Sequence, residues 1–151
     1  DEYHGMGTTV VVAIIHENWI VLGHIGDSRA YLVDDGKIYQ LTADHSLVNE
    51  LVQNGHISQE EAISHPQKNI LTRALGTEET IKVDLHVVHW EKKQTLILCT
   101  DGLTNHLSDQ QIVEVVHRRT MSVQNKADHL IAMANQAGGE DNISVIIIHQ
   151  D

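Results

Sequence analysis

The chain has 151 residues and 16.9 kDa, with 10 Lys and Arg against 21 Asp and Glu and a formal charge of −11. That length builds one domain with a real core, and the charge excludes sequence-blind binding to nucleic acid or an anionic membrane, whose phosphates repel it. A lone cysteine, Cys99, excludes an intramolecular disulfide framework and fits a reducing, cytoplasmic setting; no run approaches the roughly 20 apolar residues of a membrane span, and no charged-then-apolar leader opens the chain.

With aromatic residues at 3% and no Phe, the core must come from Val, Ile, Leu and Ala. TTVVVAIIH (8–16) and NWIVLGHIG (18–26) are apolar runs joined through Glu17-Asn18 and read as a hairpin. RAYLVDD (29–35) and KIYQLT (37–42) form a second hairpin around Asp35-Gly36, a strong tight-turn signal. The texture then becomes helical. SLVNELVQNG (46–55) spaces Leu47, Leu51 and Val52 along one side and ends at Gly55; SQEEAISH (58–65) opens with a Ser58/Glu61 capping box and ends at Pro66.

KVDLHVVHW (82–90) alternates as a half-buried strand, with Val83, Leu85 and Val87 on one face. TLILCT (95–100) has the unbroken apolar character of a strand buried on both sides. A helix follows from Ser108, with Gln111 as its capping partner and Ile112, Val115 and Val116 turned inward. Another over 122–137 carries Val123, Ala127, Leu130, Ile131 and Ala134 on one stripe, and NISVIIIH (142–149) is the last strand. Strands and helices come in groups rather than in strict alternation, which predicts an α+β layered fold in one domain.

The chemistry-bearing positions are carboxylates at strand ends. Asp101 follows TLILCT and precedes Gly102; Asp141 lies in GGEDN before the last strand; Asp27 lies in GDSR between two strands. Converging carboxylates suit hard cations such as Mg²⁺ or Mn²⁺, which take oxygen ligands. Each Asp is also, taken singly, an ordinary turn residue. Other candidates are weaker. The 12 histidines show no HExxH or paired Cys/His spacing, and His86 and His89 point to opposite faces of their strand. Cys99 reads as a core thiol, Ser28 has no visible His/Asp partners, and GMG (5–7) lacks the GK[ST] of a P-loop. Arg73 in LTRALG reads as a solvated base with substrate contact as the alternative.

The motifs GMGTT (5–9), GDSRAY (26–31), LTADHS (41–46), LTRALG (71–76), CTDGL (99–103) and GGEDNISVI (138–146) occur in that order. Together they resemble the type-2C metal-dependent Ser/Thr protein phosphatases (PPM family), bacterial type, over essentially the whole chain. The resemblance implies a four-layer α-β-β-α sandwich, here an N-terminally truncated version, with a flap subdomain at about 45–70. It implies hydrolysis of phosphoserine and phosphothreonine on proteins, opposing a bacterial Ser/Thr kinase, with two Mn²⁺ or Mg²⁺ ions and a third near the flap. Asp101 and Asp141 match the family's metal-binding aspartates, and Asp27 matches the one associated with the third ion. The family's upstream NED-type segment and DGMGG motif do not appear in these residues; HGMGTT (4–9) has His4 where DGMGG has Asp, and TTVVVAII matches a later strand.

Without those ligands the chain is expected to be a C-terminal majority of the domain (1–151), impaired or inactive alone, with exposed strand edges that favour self-association. Two rivals stand beside this reading: a non-catalytic phosphatase-like scaffold, and a phospho-acceptor α/β domain using Asp101, which the two early hairpins disfavour.

Overall fold

The computed structural model describes residues 5–151, so His4 lies outside the described residues. β1 (Val10–His16) and β2 (Trp19–Ile25) form the first hairpin, turning at Glu17 with φ 51°. β3 (Arg29–Asp34) and β4 (Lys37–Gln40) form the second, with Asp35 and Gly36 both at positive φ, 42° and 79°. Two consecutive positive-φ residues give the type I′ geometry whose twist matches its flanking strands. α1 (Leu47–Gln53) and α2 (Gln59–Ile63) follow, capped by Ser46 and by the full Ser58/Glu61 capping box. Then come β5 (Asp84–His89), β6 (Thr95–Cys99), α3 (Asp101–Thr104), α4 (Asp109–Val116), α5 (Val123–Gln136) and β7 (Val145–His149).

The strands form two antiparallel sheets, ordered β1-β2-β5 and β4-β3-β6-β7. Period-two alternation in the central strands divides the core in two. One face of β3 and β6 (Ala30, Leu32, Leu96, Leu98) meets Ile20 and Leu22 of β2, with Trp90 sealing one end. The other face (Tyr31, Val33, Ile97, Cys99) is covered by Leu103 of α3, Ile112, Val115 and Val116 of α4, and Leu130 and Ala134 of α5. All five residues of β6 are buried, as its unbroken apolar run requires. Two sheets with helices against one of them agree with the expected α+β sandwich, and the described residues supply one helical layer.

The orientation of β5 differs from the sequence-based expectation. Leu85 and Val87 are 72% and 65% exposed, while Asp84, His86 and Val88 turn inward. Val12, Ile14 and Val21 share the outer face with them, so this sheet is apolar outside and carries two polar residues of β5 inside. α3, a four-residue helix, is an addition to the elements read from periodicity.

The two faces predict opposite mutational responses. Ile97→Ala, at a position with no exposure, is expected to cost about 2–5 kcal/mol in urea unfolding. Leu85→Thr, on the outer face, should stay within about 0.5 kcal/mol.

Candidate metal centre

The four-stranded sheet brings the three aspartates to one rim. In its register Arg29 of β3 pairs with Cys99 of β6, and Cys99 pairs with Val145 of β7. Asp27 enters β3, Asp101 leaves β6 and Asp141 enters β7, so adjacent strand ends carry all three. Close backbone packing holds the last two loops together. A Cβ on Gly102 would collide with the Asn142 carbonyl oxygen, so only glycine lets the start of α3 sit against the segment after Asp141. Thr100 locks the same junction: its amide donates to the Ser144 carbonyl (3.1 Å), and its hydroxyl accepts from the Ser144 amide (3.0 Å). Asp141 in turn accepts the Asn142 amide at 2.7 Å.

Asp27 and Asp101 line a cleft of about 690 Å³ between this rim, α1, α2 and the start of α4. Asp141 lies beside it, exposed. Burial, followed by the charges of Asp101 and Asp44, raises the Asp27 carboxyl to about 6. Burial and then the Asp141 charge push Asp101 up as well. The shared signature is a set of carboxylates that repel one another in a partly desolvated place. An oxygen-only anionic donor set of this kind fits a hard divalent cation, which would remove the repulsion.

Arg29, a guanidinium in the cleft lining, is already engaged. Its Nε donates to Asp44 Oδ1 at 2.9 Å, its Nη2 to Asp44 Oδ2 at 2.7 Å and its Nη1 to the Tyr31 hydroxyl at 2.8 Å. Burial works against its charge, but the Asp44 hydrogen bonds outweigh that and hold the guanidinium protonated. Both residues of this fork–fork pair line the cleft.

Several remaining candidates resolve. Cys99 is a buried core thiol, pushed up to about 12 chiefly by burial. Ser28 contacts Thr9, hydroxyl to hydroxyl at 2.7 Å, with no catalytic base on it. Arg73 is a correction: rather than being solvated, it donates to Asp84 Oδ1 at 2.9 Å. Asp84 also receives His45 Nε2 at 2.9 Å, and the His45 bond and the Arg73 contact hold its carboxyl down at about 2. Asp84 was not singled out in the sequence. The signal that could have found it is an acidic residue on the same alternating face as His86 and Val88.

The sequence model of the Protein phosphatase 2C family matches residues 1–136. The chain belongs to that family. It is 48% identical over 151 residues to "Serine/threonine phosphatase stp" of Listeria monocytogenes, covering 99% of this chain and 59% of that protein. Among solved structures, the Streptococcus agalactiae serine/threonine phosphatase superimposes with a TM-score of 0.95 at 43% identity, covering 100% of this chain and 62% of that one. The catalytic domain of the serine threonine protein phosphatase PstP in complex with 2 manganese ions superimposes with a TM-score of 0.84 at 36% identity, covering 95% and 59%. The chain therefore spans about three-fifths of the length of these protein phosphatase 2C relatives. No described helix is long and apolar enough to cross a membrane.

Two outcomes follow from the rim of this phosphatase-family fold. Because the Asp27 carboxyl is raised, the folded state holds more protons than the unfolded chain between pH 3.8 and about 6. Its contribution to stability therefore falls as pH rises through that window. Without added cations, Asp27→Asn should melt at a higher temperature than the parent above pH 6, and the difference should vanish below the window; calorimetry across pH checks this. Gly102→Ala must separate the α3 start from Asn142, at about 1–3 kcal/mol in chemical unfolding.

Proposed function

We propose that the protein containing this chain hydrolyses phosphoserine and phosphothreonine on other proteins, using divalent cations held in part by Asp101, Asp141 and Asp27. The observation that carries this is the convergence of the three carboxylates on one rim of an open cleft, with Asp27 and Asp101 raised first by burial and then by neighbouring carboxylates, Asp101 acting on Asp27 and Asp141 on Asp101. Phosphatase-named relatives and the manganese complex of PstP support it. Mn²⁺ or Mg²⁺ is the expected ion, two in the complete domain and a third associated with Asp27.

Asp101, Asp141 and Asp27 would hold divalent ions, whose Lewis acidity would serve to activate water and to offset charge on phosphoryl oxygens. The chain's own contribution is placement. Gly102 and Thr100 fix Asp101 against the Asp141 loop, while the Arg29–Asp44 pair holds the guanidinium in the cleft lining beside Asp27. With the carboxylates uncompensated, the rim repels a phosphate dianion, so substrate approach and cation binding are linked. The helical excursion from about 45 to 70 forms the facing wall and corresponds to the flap subdomain, where the phosphoprotein chain would lie.

The expected substrates are cytoplasmic phosphoproteins, a cognate Ser/Thr kinase among them. These 151 residues alone, lacking the NED-type and DGMGG motifs, are expected to turn over poorly. The deciding measurement is Mn²⁺-dependent phosphate release from a phosphothreonine peptide by the full-length protein. Asp101→Asn is expected to lower it about a thousandfold, matching several kcal/mol of lost cation stabilisation. Turnover that is unchanged in Asp101→Asn and in Asp141→Asn would overturn the proposal.

A further inference from the structure

Behind the carboxylate rim, the buried His24 and His45 sit with the part-buried His86, Asp84 and Arg73, a cluster that the proposed chemistry does not use. Ligand-type atoms of His24, His45 and Asp84 fall within 4.8 Å of one another, which raises a second metal site for consideration. The geometry opposes it. The His24 and His45 rings are stacked, with centroids 4.6 Å apart and planes 18° from parallel, so their in-plane lone pairs do not converge. The cationic position is also filled, since Arg73 Nη1 lies 2.9 Å from Asp84 and 3.2 Å from His45 Nε2.

What the cluster does is visible in the bonds of His45. Its imidazole is almost completely buried. Nδ1 accepts the Gly26 amide proton at 3.0 Å. A neutral imidazole has one donor and one acceptor nitrogen, so Nε2 carries the proton and donates it to Asp84. The backbone of His45 closes two further links: its amide donates to the Gly26 carbonyl at 3.0 Å, and its carbonyl accepts the Thr72 amide at 2.9 Å. His45 thus satisfies both polar groups of Gly26. That residue stands at φ 106° and has no room for a Cβ against Thr9, one position before Asp27. His24 supports the ring from behind, its Nε2 donating to the Ala43 carbonyl at 2.9 Å.

We propose that His45 is a positioning residue for the metal centre: Asp84 fixes its Nε2–H tautomer, and its bare Nδ1 then holds the Gly26 turn that presents Asp27 to the cleft. Arg73, on the other side of Asp84, makes the same junction the anchor for the far end of the 46–71 excursion. The inference rests on the reading of Asp27 as a cation ligand. If Nδ1 is lost, the buried Gly26 amide has no partner, and Asp27 loses the constraint that sets its direction.

Two substitutions separate this role from simple packing. Asn places an amide oxygen about where Nδ1 stands, and Gln places its amide about where Nε2 stands. His45→Asn therefore keeps the acceptor for Gly26, whereas His45→Gln keeps the link to Asp84. In the full-length protein, Mn²⁺ affinity by titration calorimetry is expected to fall about 10- to 100-fold in His45→Gln and to remain near the parent value in His45→Asn. In the cation-free protein, heteronuclear NMR should show His45 Nδ1 unprotonated and Nε2 protonated. Amide exchange at Gly26 should be on the order of tenfold faster in His45→Gln than in His45→Asn.

Equal behaviour of the two variants, or a protonated Nδ1 in the parent, would overturn the proposal. Asp27→Asn reports separately on the ligand reading. If it leaves Mn²⁺ binding unchanged, that reading fails, and the tautomer and the amide exchange still decide the role of His45.

Discussion

Repulsion among carboxylates on adjacent strand ends shapes most of what surrounds the rim. β3, β6 and β7 are neighbours in one antiparallel sheet, and Arg29, Cys99 and Val145 stand in register across them. Any acidic residues in the turns at that edge are brought together by the pairing itself. The sheet is held by β6, whose five residues are all buried, and that burial is worth about 1.5–3 kcal/mol for each large side chain. The apolar core therefore stabilises an arrangement that the charges oppose. The carboxylates cost stability at the rim, and buried side chains a few residues along the same strands offset that cost.

That balance also explains why the Arg29 cation is held apart. A guanidinium free to turn toward Asp27 would neutralise the rim and fill the space that an ion of the proposed function would need. Arg29 has its Nε and both terminal nitrogens committed, to Asp44 and to the Tyr31 hydroxyl. The bidentate pairing is geometric as much as energetic, because the planar fork has one orientation in which all three bonds form. Asp44 contributes in the opposite sense too, adding to the negative field that raises Asp27. The pair is close to neutral as a unit, yet its acidic end adds to the field at the rim.

Much of this was legible in residue order, for physical reasons that differ by element. The Ser58/Glu61 and Ser108/Gln111 boxes and the Asp35-Gly36 turn are local devices, and each forms where its residues stand. Motif order carried the resemblance to the family that the comparisons then showed. The inward face of β5 was not legible. Alternation identifies two faces without saying which is inside, and here the apolar face of Leu85 and Val87 is the outer one. α3 was missed because four residues give no periodicity; its position depends on the contact between Gly102 and Asn142, forty residues apart in sequence. Arg73 is held rather than solvated because its partner, Asp84, lies on the inward face of β5, which alternation alone does not single out.

The excursion between His45 and Thr72 shows how such a rim can coexist with a wall of different character. Its base is closed by main-chain bonds, Thr72 amide to His45 carbonyl and Leu47 amide to Ile70 carbonyl, with Ser46 and Leu71 bridged between them. Backbone closure does not depend on which side chains lie inside the loop, and the entropy of closure rises only slowly with loop length. Residues of α1 and α2 that face the cleft can therefore change without moving the base. The base itself is tied to Gly26, and through it to the Asp27 turn, by both the amide and the imidazole of His45. Variation on the cleft-facing wall and carboxylate geometry are thus mechanically separated at one residue, so the wall can vary while the rim keeps its geometry.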